Sequence, residues 1–330
     1  MLAVLACSSP GLVVPLSATR PAASLAGVSL PRASDGEQVD LGSALAQSKG
    51  RTMLVLGCHA GDFNTVEYVQ RVRAFWPQLQ AKGVDRCLVV VNGQASSCAK
   101  LAELLDPPAG LELLSDPTGD AGRRFGVSRG WRPDDERIPA ALKLFVVGIG
   151  LGPPWGTLPA VLTGYLGNPG GRRDWIEAAL KQGQEAGRRP GPLPDILELS
   201  ADGEVRPRRL RQPFLPPTTR AHVHVHGPPP GRVRPDASLS GGAQIVGNKF
   251  DDFPLVGGWG RRPLELATLR LQNLLDIQMK HWDALKPVDD RCLTQLGGCA
   301  VVNPGGEAVY AWVDEGLCDV PDFHELLEAL

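Results

Sequence analysis

Residues 51–66 read RTMLVLGCHAGDFNTV. The run Met53 to Leu56 is apolar and suited to a strand, Gly57 ends it, and a short polar turn leads to Asp62-Phe63-Asn64-Thr65, which opens a helix. From Asn64 to Lys82 the residues Val66, Val69, Val72, Phe75, Trp76 and Leu79 recur at 3–4 spacing, which makes one buried helical face. Asp62 or Asn64 serves as the N-cap, Glu67 falls in the first turn, and Gly83 stops the helix. A strand that feeds a helix through so short a turn brings unpaired N–H groups and the positive end of the helix dipole to that turn. A thiolate would be stabilised there. The nearest thiol, Cys58, sits several residues early, and the helix-entry positions hold Asn64 and Thr65.

Outward from this stretch the chain alternates. Cys87 to Val91 (CLVVV) is a continuous apolar run of the kind that forms a strand buried on both faces. A helix over Ser96 to Leu105, a strand over Leu111 to Leu114 and a short helix over Asp120 to Phe125 follow, and Val39 to Ala46 predicts a short helix ahead of the first strand. This β-α-β-α-β-α order argues for parallel strands in an α/β sheet. Beyond residue 130 an apolar stretch precedes Pro153-Pro154-Trp155 and helical pieces over Thr157 to Leu166 and Asp174 to Gln182. Proline, glycine and arginine dominate from Gly183 to about Pro263, with a brief strand at Ile196 to Leu199. A helix runs from Leu264 to Leu285, with Leu266, Leu269, Leu271, Leu274, Leu275 and Ile277 as its apolar positions. Cys299 to Val302 and Ala308 to Val313 flank Asn303-Pro304-Gly305-Gly306 as a β-hairpin, and a last helix covers Val320 to Leu330.

The domain reading is therefore a leader over 1–38, the first part of the core over 39–129, and a helical insertion over 130–183. An irregular Pro/Gly/Arg-rich insertion over 184–263 follows, and 264–330 completes the core. Within it residues 1–34 carry Arg20 and Arg32, no acid, and many Ser, Ala and Pro residues. That composition matches organelle transit peptides, plastid ones in particular, with an unstructured tail or a signal peptide as the other readings. No apolar run reaches the ~18 residues needed to span a bilayer. A net charge of −2 gives no global pull toward nucleic acid or membranes. Seven cysteines without a CxxC pair exclude a secreted disulfide scaffold and favour a reducing compartment.

Three stretches carry a family resemblance: LVLGCHAGDFNTVEYVQ (54–70), LLSDPTGDAGRRFGV (113–127) and GGCAVVNPGGEAVYAW (297–312), with LELATLRLQN (264–273) in support. Together the chain resembles the peroxiredoxin-like (AhpC/TSA-type) branch of the thioredoxin-fold superfamily, of plastid or cyanobacterial type. The resemblance implies an α/β fold with a thioredoxin-like central sheet flanked by helices. The long Pro/Gly/Arg-rich insertion precedes the C-terminal hairpin and helix. It also implies a peroxidatic cysteine in the first turn of the helix, a threonine about three residues earlier, a proline near the strand end and an arginine ahead of the hairpin. The corresponding positions hold Asn64, Gly61, Gly57 and Gly297. Peroxide reduction needs a thiolate attacking the O–O bond and donors on the departing oxygen, so these departures point to a non-catalytic binding or accessory module with a protein partner in an organelle.

The alternative is a thiol-dependent antioxidant oxidoreductase that uses Cys58 with Cys299 or Cys292. No cofactor is implied. His222, His224 and His226 alternate in RAHVHVHG and on a strand would share one face, where they could bind zinc, copper or nickel; a chance polar stretch is the other reading. Arg206 to Arg234 holds seven arginines and no acid, a basic arm able to dock on an acidic surface or to remain solvated. With only Phe214 available for stacking, nucleic acid is not the expected partner.

Overall fold

The computed structural model describes residues 18, 20–149, 174–188, 198–199, 205–206 and 261–330. The chain divides into two compact units, Met1–Val161 with Ile277–Leu330, and Leu162–Asp276. The first unit is built on a five-stranded sheet of order β5-β4-β3-β8-β9. Its strands are β3 (Arg51–Leu56), β4 (Val84–Val91), β5 (Leu111–Ser115), β8 (Gly298–Val302) and β9 (Ala308–Val313). β3, β4 and β5 run parallel, whereas β8 joins β3 and β9 joins β8 antiparallel. This is a thioredoxin-like arrangement, with the sheet closed by residues from both ends of the sequence.

Burial follows strand position. β3 and β4 have neighbours on both sides, and Met53 to Leu56 and Cys87 to Val91 are buried throughout, as expected of strands covered on both faces. One face packs Leu54, Leu56, Leu88, Val90, Ala300 and Val302 against α2 (Leu41–Ala46) and α5 (Asp120–Phe125), with Leu41, Leu45 and Phe125 in the same core. The other face receives α3 (Phe63–Ala81) and α9 (Phe323–Ala329), which meet through Phe75 and Phe323 at a ring separation of 5.5 Å. Asp62 is the N-cap of α3, its carboxylate accepting from Thr65 N, and Gly83 in a left-handed conformation follows the helix end. α4 (Ala95–Leu105) and α6 (Ala140–Ile149) complete this part of the order.

Residues 20–38, expected as part of the leader, are folded. They form α1 (Pro21–Ser24), β1 (Ser29–Pro31) and the start of β2 (Gln38–Asp40), the two strands pairing antiparallel. Leu25, Val28 and Leu30 enter the sheet core. Three spaced apolar residues suffice to hold this stretch by burial, at about 1.5–3 kcal/mol for each fully buried side chain. The leader reading is thus corrected for residues 20–38.

In the second unit α7 (Asp174–Glu185) buries Trp175, Ile176, Ala179 and Leu180, and the guanidinium of Arg270 lies over the Trp175 ring at 5.1 Å. β6 (Glu198–Leu199) and β7 (Val205–Arg206) pair antiparallel. α8 (Arg261–Leu285) contributes residues to both units and carries a non-helical backbone at His281. Leu274 and Ile277 are buried as its apolar spacing predicts, whereas Leu271 and Leu275 are exposed. The final helix starts at Phe323 rather than Val320, because Asp322 caps it. The helix expected over 157–166 lies outside the described residues. Among the described residues no helix is long and apolar enough to cross a membrane.

Candidate functional site

The turn after β3 and the first turns of α3 face the loop that follows β9. The sequence predicts an apolar face on α3, and Val66, Val69, Val72, Phe75, Trp76 and Leu79 are all buried. A second, polar stripe at the same 3–4 spacing is buried as well: Asn64, Glu67, Tyr68 and Arg71. It grips the chain after β9. Asn64 Nδ2 donates to Asp314 Oδ2 at 2.8 Å and to the Gly316 carbonyl at 2.9 Å, and Asn64 Oδ1 accepts from Cys318 N at 2.6 Å. Tyr68 Oη donates to Asp314 Oδ1 at 2.6 Å. Arg71 is paired with Glu67 and donates to the Pro321 carbonyl at 2.5 Å. Cys318 sits at φ 66°, a left-handed conformation uncommon for a residue with a side chain, so the Asn64 clamp holds a strained loop in place.

Asp314 is the electrostatic centre. Burial raises its pKa well above the ordinary carboxylate value, the Tyr68 hydrogen bond works against this, and the nearby Asp319 adds to it. Asp319 itself is pushed up to about 6, again mainly by burial. For such groups the native state holds protons that the unfolded state releases near pH 4. Their unfavourable contribution is therefore absent below that pH and grows as pH rises through the native pKa values. His59, held neutral by burial with its pKa lowered to about 4, acts in the opposite sense below about pH 6.5. Asp314→Asn, a neutral replacement able to accept from Asn64 and donate to Tyr68, is expected to match the wild type below about pH 4. At pH 8 it is expected to exceed the wild type by about 1–3 kcal/mol. Urea unfolding of both proteins at the two pH values measures this; equal differences at both would remove the proton from Asp314.

The thiols are placed as follows. Cys58 is buried at the end of β3 and donates to the Cys292 carbonyl at 3.2 Å. Its pKa is raised well above the ordinary thiol value by burial first and by Asp62 second. Cys292, in the 3₁₀ turn Asp290–Cys292, is pushed up to about 11 by burial. Cys299 lies inside β8 opposite Val55, and its thiol is raised by burial and by Asp314 while Tyr68 partly compensates. The structure thus sets Cys292 against Cys58 and gives Cys299 to the Tyr68–Asp314 group. Cys299 is a paired strand residue, and Cys292 sits on the turn that abuts Cys58. Cys87 is core, and Cys98 is pushed up to about 12 by burial. The six described cysteines are all free.

The glycines at the positions where the resemblance implies other residues are closely walled. A Cβ on Gly57 would stand 2.9 Å from Thr65 Oγ1, and one on Gly297 would stand 2.7 Å from the Leu56 carbonyl oxygen and 2.8 Å from Asp314 Oδ2. His222, His224, His226 and the basic arm from residue 207 to Arg234 lie outside the described residues. Sequence reading missed Tyr68 and Asp314 because polar residues on a helix and after a hairpin look like solvent-facing ones. The available signal was the spacing 64, 68, 71 on the helix face that also carries the entry position.

A mixed sheet with a helix N-terminus aimed at its strand ends defines a thioredoxin-like domain of the peroxiredoxin-like class. The family described as AhpC/TSA antioxidant enzyme matches residues 71–316, and the chain belongs to it. The matched segment begins within α3, so Cys58 to Asn64 precede it. No curated protein and no solved structure matches the chain.

Proposed function

We propose that this peroxiredoxin-like protein is a non-catalytic binding or accessory module of a plastid. The observation that carries the reading is the use made of the first turn of α3: Asn64 spends both ends of its amide on holding the 314–318 loop. A thiolate there would face Asp314, and the described thiols whose pKa values are shifted are all shifted upward by burial. Nucleophilic thiol chemistry requires the opposite shift. The basic arm from Arg206 to Arg234 supports an acidic protein surface as partner, and the composition of the first residues supports the plastid location. In this reading the reduced full-length protein loses thiols to hydrogen peroxide no faster than a small-molecule thiol, and Cys58→Ser leaves the rate unchanged. Saturable peroxide turnover that Cys58→Ser abolishes would overturn it. A fluorescent fusion of the whole chain tests the location.

One observation favours a second reading, a thiol-dependent antioxidant oxidoreductase. Cys58 and Cys292 adjoin, the thiol of one on the carbonyl of the other. Peroxide would oxidise the Cys58 thiol to a sulfenic acid with release of water, and Cys292 would condense with it to a disulfide with release of a second water. Mass spectrometry of the peroxide-treated protein distinguishes a Cys58–Cys292 disulfide from unmodified thiols.

A further inference from the structure

The turn between β3 and α3 contains a second constellation, which shares Cys58 with the oxidoreductase reading and adds His59 and Asp62. Cys58, His59 and Asp62 each offer a ligand atom, and these atoms all lie within 4.8 Å of one another. The three side chains are 2%, 1% and 6% exposed. Groups of this type at this depth are costly unless each is paired. His59 Nδ1 is buried and has no hydrogen-bond partner, and one nitrogen of the same imidazole lies among the two acids. We propose that Cys58, His59 and Asp62 form a binding site for a zinc-class divalent cation.

The local chain is held as a metal site requires. Gly57 N donates to the Val90 carbonyl at 2.8 Å and Asn92 N to the Cys58 carbonyl at 2.8 Å, which fix the strand end. Asp62 N donates to the His59 carbonyl at 3.0 Å and closes the turn, while Gly61 N donates to the Leu285 carbonyl at 3.1 Å. The Gln278 side chain donates to the Gly61 carbonyl at 3.2 Å from the same helix as Leu285. Trp282 meets the His59 ring edge-on at 5.6 Å and fixes its plane. Asp62 Oδ2 accepts from Thr65 N at 3.0 Å; a carboxylate can take an N–H and a cation together, each on its own oxygen. The backbone of the turn is thus held by hydrogen bonds on both sides of the three donors.

Chemistry selects the ion. A tetrahedral zinc site has bonds of about 2.0–2.3 Å, which place its ligand atoms roughly 3.2–3.8 Å apart. The donors here need to close by about 1 Å from the 4.8 Å limit. A thiolate, a neutral imidazole and a carboxylate suit zinc, whereas magnesium and calcium take oxygen sets. One thiolate and one carboxylate also balance a 2+ charge, so the buried assembly is neutral. Three protein ligands leave a fourth position for water or for an added ligand. Cys58 held by a metal would be withdrawn from disulfide chemistry with Cys292, yet the site stands on its own geometry and not on the proposed lack of catalysis.

The test uses the full chain, stripped with a chelator under reducing conditions and then loaded with Zn²⁺, or with Co²⁺ as a spectroscopic probe. The expected result is one equivalent retained after dialysis, a near-ultraviolet thiolate-to-cobalt band, and at least tenfold weaker binding in Cys58→Ser and in Asp62→Asn, which keeps the helix cap. The combined variant His222→Ala, His224→Ala, His226→Ala is expected to retain the metal. Absence of stoichiometric metal from the wild type overturns the proposal, and so does metal that is lost with the three histidines and kept without Cys58. If Cys58→Ser fails to fold by circular dichroism, the cobalt band of the wild type and the binding of Asp62→Asn decide. Metal content is read apart from peroxide turnover, so this proposal and the functional one fail separately.

Discussion

Asn64→Ala is expected to destabilise the first unit by about 3–5 kcal/mol, read as a shift of the urea midpoint followed through Trp312, whose indole donates to the Asp319 carbonyl at 3.0 Å. The size follows from what the side chain does. Truncation removes the hydrogen bonds to the Gly316 carbonyl and the Cys318 N–H and one of the two donors to the buried Asp314. Each orphaned buried group costs about 1–3 kcal/mol, with charged partners at the upper end. Asn64→Asp is expected to be no better, because a carboxylate would face both Asp314 and a carbonyl oxygen. A cost below about 1 kcal/mol for Asn64→Ala would mean that water replaces the amide freely and that the clamp is not structural.

Gly297→Arg, which places at this position the residue type that the resemblance implies, is expected to abolish stable folding, and Gly297→Ala to cost about 1–3 kcal/mol. The atoms nearest the added Cβ are the Leu56 carbonyl oxygen at 2.7 Å and a carboxylate oxygen of Asp314 at 2.8 Å. The first belongs to a strand paired on both sides. The second accepts from Asn64, and the other oxygen of the same carboxylate accepts from Tyr68. Neither can retreat cheaply in a close-packed interior. Soluble yield and the unfolding midpoint of both variants measure the effect. Wild-type stability in Gly297→Arg would show that the gap between β3 and the 314 loop opens, and a donor at this position would then be structurally allowed.

These two sites also mark the limits of reading the chain alone. The order of strands and helices was legible because each core strand is a short run of apolar, branched residues. The long helix α3 shows apolar 3–4 spacing, and stop and start signals mark helix ends, as at Asp62 for α3 and Gly126 for α5. The hairpin over 298–313 was legible from Asn303-Pro304-Gly305-Gly306, in which Gly305 and Gly306 adopt the positive φ that the turn requires. The fold of residues 20–38 was not, since Leu25, Val28 and Leu30 are too few to show a period and gain their meaning only from the sheet they cover.

The candidate site divided in the same way. Cys58 was visible as the thiol nearest the helix entry, and Asn64 as the residue standing at that entry. His59 and Asp62 are sequence neighbours of Cys58, but nothing local says that their donors converge; the turn closed by the Asp62–His59 backbone bond does that. Asp314 lies 250 residues from Asn64, and Cys292 lies 234 from Cys58. Local propensity carries no information over such separations.

The sequence by itself determined the elements, their order and the chemical types available at the strand-end turn, because backbone preference and hydrophobic period act over a few residues. Only the tertiary structure decided which of those side chains meet. It turned a polar stripe of α3 into a buried clamp on Asp314, set Cys292 rather than Cys299 against Cys58, and closed the space at Gly297. The physical reason is packing: once β8 lies beside β3 and the loop after β9 reaches the first turn of α3, burial and hydrogen bonding define the site.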